Sequence, residues 1–156
     1  MTAAASPWAA RAAVSPAQTA GEHSRLVIHV DGGSRGNPGP AAIGVVVSAP
    51  DGTTVDELGE RIGVATNNVA EYRALLRGVR HASELGAREV ELINDSELVA
   101  KQVTGAYKVK HPSMQPLHAE AIAALKRFDS WRIRSVPRAQ NARADALVNE
   151  ALDGRR

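Results

Sequence analysis

Four acidic residues stand where a freely solvated carboxylate is not the expected choice. Asp31 closes the apolar run Leu26-Val27-Ile28-His29-Val30, and Asp95 closes a second run ending in Leu92-Ile93-Asn94. Glu71 lies beside Tyr72 with Leu75 at i+4, and Asp145 lies among Ala144, Leu147, Val148 and Leu152. A carboxylate at a core boundary is costly to desolvate unless something pairs with it. Several converging carboxylates repel one another and raise each other's pKa. A divalent cation resolves both problems, and oxygen ligands without cysteine suit Mg²⁺ or Mn²⁺. Two such ions about 4 Å apart can clamp the attacking and leaving oxygens of an in-line phosphoryl displacement. Taken singly, each acid also has a plainer role. Asp31 and Asp95 suit turns or caps, Glu71 suits the first turn of a helix, and Asp145 suits a polar helix face. Spacing alone does not bring the four together.

The elements that must position these acids can be read from periodicity. Leu26–Val30 is a short β-branched run halted by Asp31-Gly32-Gly33, which reads as a strand followed by a turn. Ile43–Ser48 reads as a second strand and Thr53–Ile62 as a third, with the turn signal Pro50-Asp51-Gly52 between them. Three successive strands with short connections predict an antiparallel meander. Thr66-Asn67-Asn68 offers helix-capping chemistry. Val69, Tyr72, Leu75, Leu76, Val79 and Ala82 then fall at helical spacing, with Gly86 as a stop. Arg88–Asn94 reads as a strand, and Asp95-Ser96 as the cap of a short helix reaching Val103. Ser113–Phe128 reads as a helix, Trp131–Val136 as a strand and Asn141–Leu152 as a last helix. The order β-β-β-α-β-α-α-β-α implies an α/β fold, a mixed sheet with helices on its faces.

Bulk composition narrows the field. The chain has 156 residues, enough for one domain with a real core. It has no cysteine, which excludes a disulfide framework, a zinc finger and thiol catalysis, and fits a reducing, cytoplasmic setting. No apolar run approaches the roughly 18 residues of a membrane helix, so no membrane role is expected. The net charge of +2 is compatible with a nucleic-acid partner without demanding one. Residues 1–24, rich in Ala, Ser and Pro, read as a disordered tail, with residues 25–153 as the folded domain. Arg11 and the lack of acid before Glu22 give an organellar transit peptide as the competing reading of that tail.

The flanking residues carry a resemblance. Asp31-Gly32-Gly33-Ser34-Arg35-Gly36-Asn37-Pro38-Gly39-Pro40, followed by Ala41-Ala42-Ile43-Gly44, resembles the first-strand signature of type 1 ribonuclease H. Thr66-Asn67-Asn68-Val69-Ala70-Glu71-Tyr72 resembles that family's first-helix motif, and Asn94-Asp95-Ser96-Glu97-Leu98-Val99 its fourth-strand motif. Val136-Pro137-Arg138-Ala139-Gln140-Asn141-Ala142-Arg143-Ala144-Asp145-Ala146-Leu147 resembles its C-terminal motif. Four motifs in the right order, each containing an acid, span nearly the whole of residues 25–152.

The resemblance implies a five-stranded mixed sheet, its first three strands antiparallel, with helices on both faces. It implies that Asp31, Glu71, Asp95 and Asp145 hold two Mg²⁺ ions, for which Mn²⁺ can substitute. The expected substrate is an RNA–DNA hybrid, its RNA strand cut to leave 3′-hydroxyl and 5′-phosphate ends, and a monomer suffices. Reading RNA requires contact with the 2′-hydroxyl across a wide, shallow minor groove. Amides both donate and accept, so Asn37 and Asn67 are candidates for that contact, with Glu97 beside them. Gly32 and Gly33 would let backbone approach the nucleic acid. Thr66 and Asn68 are candidates for a DNA phosphate, with capping as the competing role, and Ser96 and Asn141 complete the substrate set by motif position.

Two departures follow from the same resemblance. Well-studied bacterial members carry a histidine in the loop before the last acid, but here no histidine lies between Trp131 and Asp145, and Arg138 occupies the loop. That arrangement resembles an archaeal-like branch also found in actinobacteria. Arginine stays protonated, so Arg138 suits phosphate binding or leaving-group stabilisation rather than general-base catalysis. The lysine-rich helical protrusion of some members is also missing, with Lys108, Lys110 and His111 as a modest substitute. His111 and His118 lack metal-ligand spacing. Other nucleases of the superfold lack the helix start at Thr66 and the turn at Gly36–Gly39. A non-catalytic nucleic-acid-binding module would be signalled by loss of one of the acids, and all four are present.

Overall fold

The computed structural model describes residues 24–154. The expected tail therefore lies outside the described residues, Ser24 excepted; the carbonyl of Ser24 accepts from the amides of Arg88 and Glu89. The sheet has five strands, β1 (Arg25–Ser34), β2 (Gly39–Ser48), β3 (Thr54–Ala65), β4 (Glu89–Asn94) and β5 (Ser130–Ser135), in the order β3-β2-β1-β4-β5. The first three pair antiparallel, and β4 runs parallel to both β1 and β5. The helices are α1 (Asn67–Glu84), α2 (Glu97–Val103), α3 (Gln115–Leu125) and α4 (Ala142–Leu152), the last preceded by one 3₁₀ turn, Arg138–Asn141.

Both faces of the inner strands are apolar because both are covered. On β2, Ile43, Val45 and Val47 join Leu26, Ile28 and Val30 of β1 in the main core under α1, which contributes Tyr72, Leu75 and Val79. Ala42 and Val46 point the other way, onto Ala144, Leu147, Val148 and Ala151 of α4. Three arginines fasten α4 at its edges. Arg143 grips both carboxylate oxygens of Glu57 at 2.8 and 2.9 Å, Arg61 donates to the Ala151 carbonyl at 2.9 Å, and Arg35 meets Asp153 at 2.7 Å. Bidentate geometry orients as well as attracts. No helix of the described residues is long and apolar enough to cross a membrane.

The expected element order is the observed one, with shifts at the boundaries. β1 does not stop at Asp31. It runs to Ser34, because Asp31, Gly32, Gly33 and Ser34 pair with Gly44, Ile43, Ala42 and Ala41 of β2. The turn lies farther on, around Gly36, whose φ of +111° favours glycine. The 113–128 helix is shorter than expected, starting after Met114 with proline in its first turn. The last helix is preceded by the 3₁₀ turn rather than starting at Asn141.

Candidate active site

The β1–β4 pairing ends at His29 and Ile93, while β1 continues. Asp31 lies two residues beyond that point on β1, and Asp95 two residues beyond it after β4. Both therefore sit at the carboxyl ends of the two central parallel strands, where ligands bind in open α/β sheets. Glu71 arrives from α1 on one face and Asp145 from the first turn of α4 on the other.

Two glycines make this approach possible. A Cβ on Gly32 would stand 2.1 Å from the Ala70 carbonyl oxygen and 2.7 Å from the Glu71 nitrogen, so α1 lies directly on the β1 backbone. Gly44 is the cross-strand partner of Asp31. A Cβ there would stand 2.3 Å from the Ala144 carbonyl oxygen, so α4 presses on the sheet beside Asp145. The space over Gly32 thus belongs to α1 rather than to nucleic acid, and Gly33 faces Val148 at an ordinary 3.7 Å. Gly44 was not singled out from its motif. Its signal was a glycine inside an otherwise apolar strand, which marks close backbone approach.

The electrostatics show the four acids acting on one another. Asp31 is 8% exposed. Its carboxyl is pushed up from 3.8 to about 8, first by burial, then by the charges of Asp95 and Asp145, by a hydrogen bond shared with Asp145, and by Glu71. Glu71 is also raised, mainly by burial and further by Asp95, with the Ser96 hydroxyl and the Arg138 charge pulling the other way. One oxygen each of Glu71 and Asp95 is buried without a hydrogen-bond partner. Arg138 Nε lies 3.7 Å from that Asp95 oxygen, an ion pair too long to be a hydrogen bond, and its side chain is 80% exposed. Unsatisfied buried anionic oxygens in a mutually repelling group are a fit for cations. Among the described residues no group of three or more His, Asp or Glu is set as a ready-made metal cage. That is compatible with Mg²⁺, which keeps several waters and takes few protein carboxylates at a time.

A raised acid pKa has a direct consequence for stability. Asp31 binds a proton more tightly folded than unfolded, so the metal-free protein loses stability as pH rises from about 4 to about 8. Asp31→Asn removes that loss. It is expected to stabilise the metal-free protein by about 1–2 kcal/mol at pH 8, the usual gain when a strained functional group is relieved, and to give no gain at pH 4. Thermal melts in a chelator at the two pH values check this, and destabilisation at pH 8 would mean the acids do not repel.

The remaining candidates divide into three places. Asn37, Thr66, Asn67 and Asn68 gather where the β1–β2 turn meets the start of α1. Asn37 Oδ1 accepts from the Asn67 amide at 3.0 Å, and Asn67 Oδ1 accepts from the Ser34 amide and hydroxyl at 2.9 and 3.1 Å. The side-chain NH₂ groups of both asparagines are left without a partner among the described residues. Thr66 caps α1 by accepting from the Val69 amide, and Asn68 is exposed beside it. Ser96 caps α2, accepting from the Val99 amide, with Glu97 exposed next to it. Asn141 is in a third place, 1% exposed beneath the site, where its amide donates to the Val30 carbonyl at 2.8 Å. It ties the loop carrying Arg138 to the strand carrying Asp31. His111 is engaged by the Ser113 hydroxyl and His118 by the Gln102 carbonyl.

Known proteins share this fold. A family model described as reverse transcriptase-like matches residues 29–151. The crystal structure of RNase H1 from the halophilic archaeon Halobacterium salinarum superposes with a TM-score of 0.82 at 50% identity, covering 83% of this chain and 98% of that one. The chain belongs to the type 1 ribonuclease H family. The N-terminal RNase H domain of a Mycobacterium tuberculosis protein, solved as a fusion with maltose-binding protein, matches this ribonuclease H chain at 48% identity. Its TM-score is 0.81, over 84% of this chain and 95% of that one. LC11-RNase H1, solved in complex with an RNA/DNA hybrid, matches at 44% identity and TM-score 0.79, over 83% and 97%. In full length the chain spans 65% of the Halobacterium ribonuclease HI and 36% of the bifunctional M. tuberculosis protein.

Proposed function

We propose that this protein hydrolyses the RNA strand of RNA–DNA hybrids at the four-carboxylate site. The observation that carries this reading is the group itself: Asp31 pushed up to about 8 by burial first and then by Asp95, Asp145 and Glu71, beside buried oxygens of Glu71 and Asp95 that lack a hydrogen-bond partner. A hybrid as substrate is supported by the relative solved with one bound.

Asp31, Glu71, Asp95 and Asp145 would hold two divalent cations, Mg²⁺ with Mn²⁺ able to substitute. When bound, these supply the positive charge that an in-line displacement at phosphorus requires. The chain's own residues do the rest. Asn37, whose Oδ1 accepts from the Asn67 backbone amide, and Asn67 hold their NH₂ groups ready for a 2′-hydroxyl, the group that distinguishes RNA from DNA. Asn68 and the exposed start of α1 suit a phosphate of the DNA strand. Ser96, whose hydroxyl reaches Glu71, and the exposed Glu97 next to it would meet the hybrid beside Asp95. All four acids come from one chain, which supports action as a monomer, and the cysteine-free composition supports the cytoplasm as its setting.

Arg138 stands beside Asp95 with its guanidinium mostly in solvent, where it can bind a phosphate as charge accumulates. Arg138→Ala is expected to lower kcat/KM roughly tenfold, the scale of one charge-assisted hydrogen bond; steady-state cleavage with both constants unchanged would remove Arg138 from the site. The reaction itself is tested by end analysis of the cut strand. Internal cleavage leaving 3′-hydroxyl and 5′-phosphate ends is expected. A 2′,3′-cyclic phosphate would mean that the RNA's own 2′-oxygen attacks, contrary to this reading.

A further inference from the structure

Tyr72 follows Glu71 on α1 and is fully buried. Its hydroxyl donates to Gln102 Oε1 at 2.7 Å. Gln102, near the end of α2 and 4% exposed, donates in turn from Nε2 to the Lys108 carbonyl at 3.4 Å. Its own backbone carbonyl meets His118 Nε2 of α3 at 3.0 Å, and the His118 ring stands edge-on to Tyr72 at 6.4 Å. From the far side, Gln115 donates to the Val109 carbonyl at 3.1 Å. The connector at 107–111 has no regular structure of its own. Two glutamine amides hold it instead, and one of them is hydrogen-bonded to the helix that carries Glu71.

A buried hydroxyl and a buried amide are costly unless paired, and apolar side chains would fill the same space. What the polar pair adds is direction. Glutamine accepts at one end and donates at the other, so Gln102 sets the position of the Lys108 carbonyl relative to Tyr72. Within the connector Val109 is partly buried against the core. Lys108 and Lys110 flank Val109, and both are exposed with no ion pair among the described residues. Lys101 stands 5.1 Å over the half-exposed Tyr107 ring next to them. Exposed lysines beside an exposed aromatic ring suit a nucleic-acid backbone.

We propose that Tyr72 and Gln102 are positioning residues for substrate binding, their buried hydrogen bond holding the Lys108–Lys110 connector in register with the four acids so that one duplex meets both. This rests on the chain being a hybrid-cleaving nuclease. The test is cleavage of an RNA–DNA hybrid in Mg²⁺ by the full chain, with hybrid affinity read separately by fluorescence anisotropy. Tyr72→Phe is expected to raise KM and Kd about fivefold, within the reach of one hydrogen bond, while kcat changes less than about twofold. Lys108→Ala with Lys110→Ala is expected to raise both similarly and to lower the salt slope of binding by about two. Tyr72→Phe added to that pair should then cost almost nothing more, because both act through one contact. Gln102→Met, of similar length without the amide, should repeat the Tyr72→Phe pattern, with melting curves confirming a folded protein at assay temperature. A fall in kcat at unchanged KM and Kd, or an effect that multiplies with the lysine changes, would overturn the coupling and leave Tyr72 a core residue. A wild type that binds the hybrid without cutting it removes the nuclease reading while the Kd comparison still decides the coupling. A wild type that neither binds nor cuts removes both.

Discussion

Asp95→Asn is expected to lower kcat on an RNA–DNA hybrid by at least about 10²–10³-fold, the range for losing one charge-stabilising group from a preorganised site. The residue lies just past the end of β4, with one oxygen buried without a hydrogen-bond partner and Arg138 Nε 3.7 Å from it. Asparagine has the same shape but no charge, and it presents an NH₂ donor to the position where a cation would be held. The fold should not suffer. Removing one of several repelling carboxylates relieves the group, so melting temperature should hold or rise. The informative experiment sets single-turnover cleavage beside thermal melts of the same preparation. Undiminished cleavage by Asp95→Asn would remove this acid from the site.

The second large effect concerns a residue with no side chain. Gly32→Ala is expected to cost about 3 kcal/mol of stability, at the upper end of ordinary overpacking, and to reduce cleavage as well. Its Cβ would stand 2.1 Å from a backbone oxygen of α1, and backbone cannot rotate aside as a side chain can. The helix must shift, and Glu71 shifts with it. Gly33→Ala is the control. Its Cβ would meet only Val148 Cγ1 at 3.7 Å, an ordinary contact, so its stability should stay within about 0.5 kcal/mol. Urea denaturation of the two variants checks both. Equal stabilities would mean that α1 is not seated on Gly32.

Local chemistry was legible in the sequence, and long-range register was not. Thr66 could be read as a helix cap because capping joins it only to Val69, three residues away. The stripe of α1 could be read because 3.6-residue periodicity is local too. The Asp31-Gly32-Gly33 run was misjudged as a turn for the converse reason. Its glycines keep extended backbone because β2 pairs with them, and Gly32 is small because α1 presses on the sheet there. Neither partner is visible from inside the run. The four acids show the same divide. Their types pointed to a cation site, but spacing could not bring them together. That depends on β1 outrunning β4 and on close approach at Gly32 and Gly44. Asn141 reads as a substrate contact by its place in the C-terminal motif, whereas its side-chain NH₂ donates to the Val30 carbonyl.

The account stands most directly on one comparison, cleavage of matched RNA–DNA, RNA–RNA and DNA–DNA duplexes with Mg²⁺ and with a chelator. Internal cuts in the RNA strand of the hybrid, present with Mg²⁺, absent with chelator and absent from DNA–DNA, are the predicted result. Cleavage of the DNA duplex, cleavage that survives the chelator, or an intact hybrid in Mg²⁺ or Mn²⁺ would contradict it.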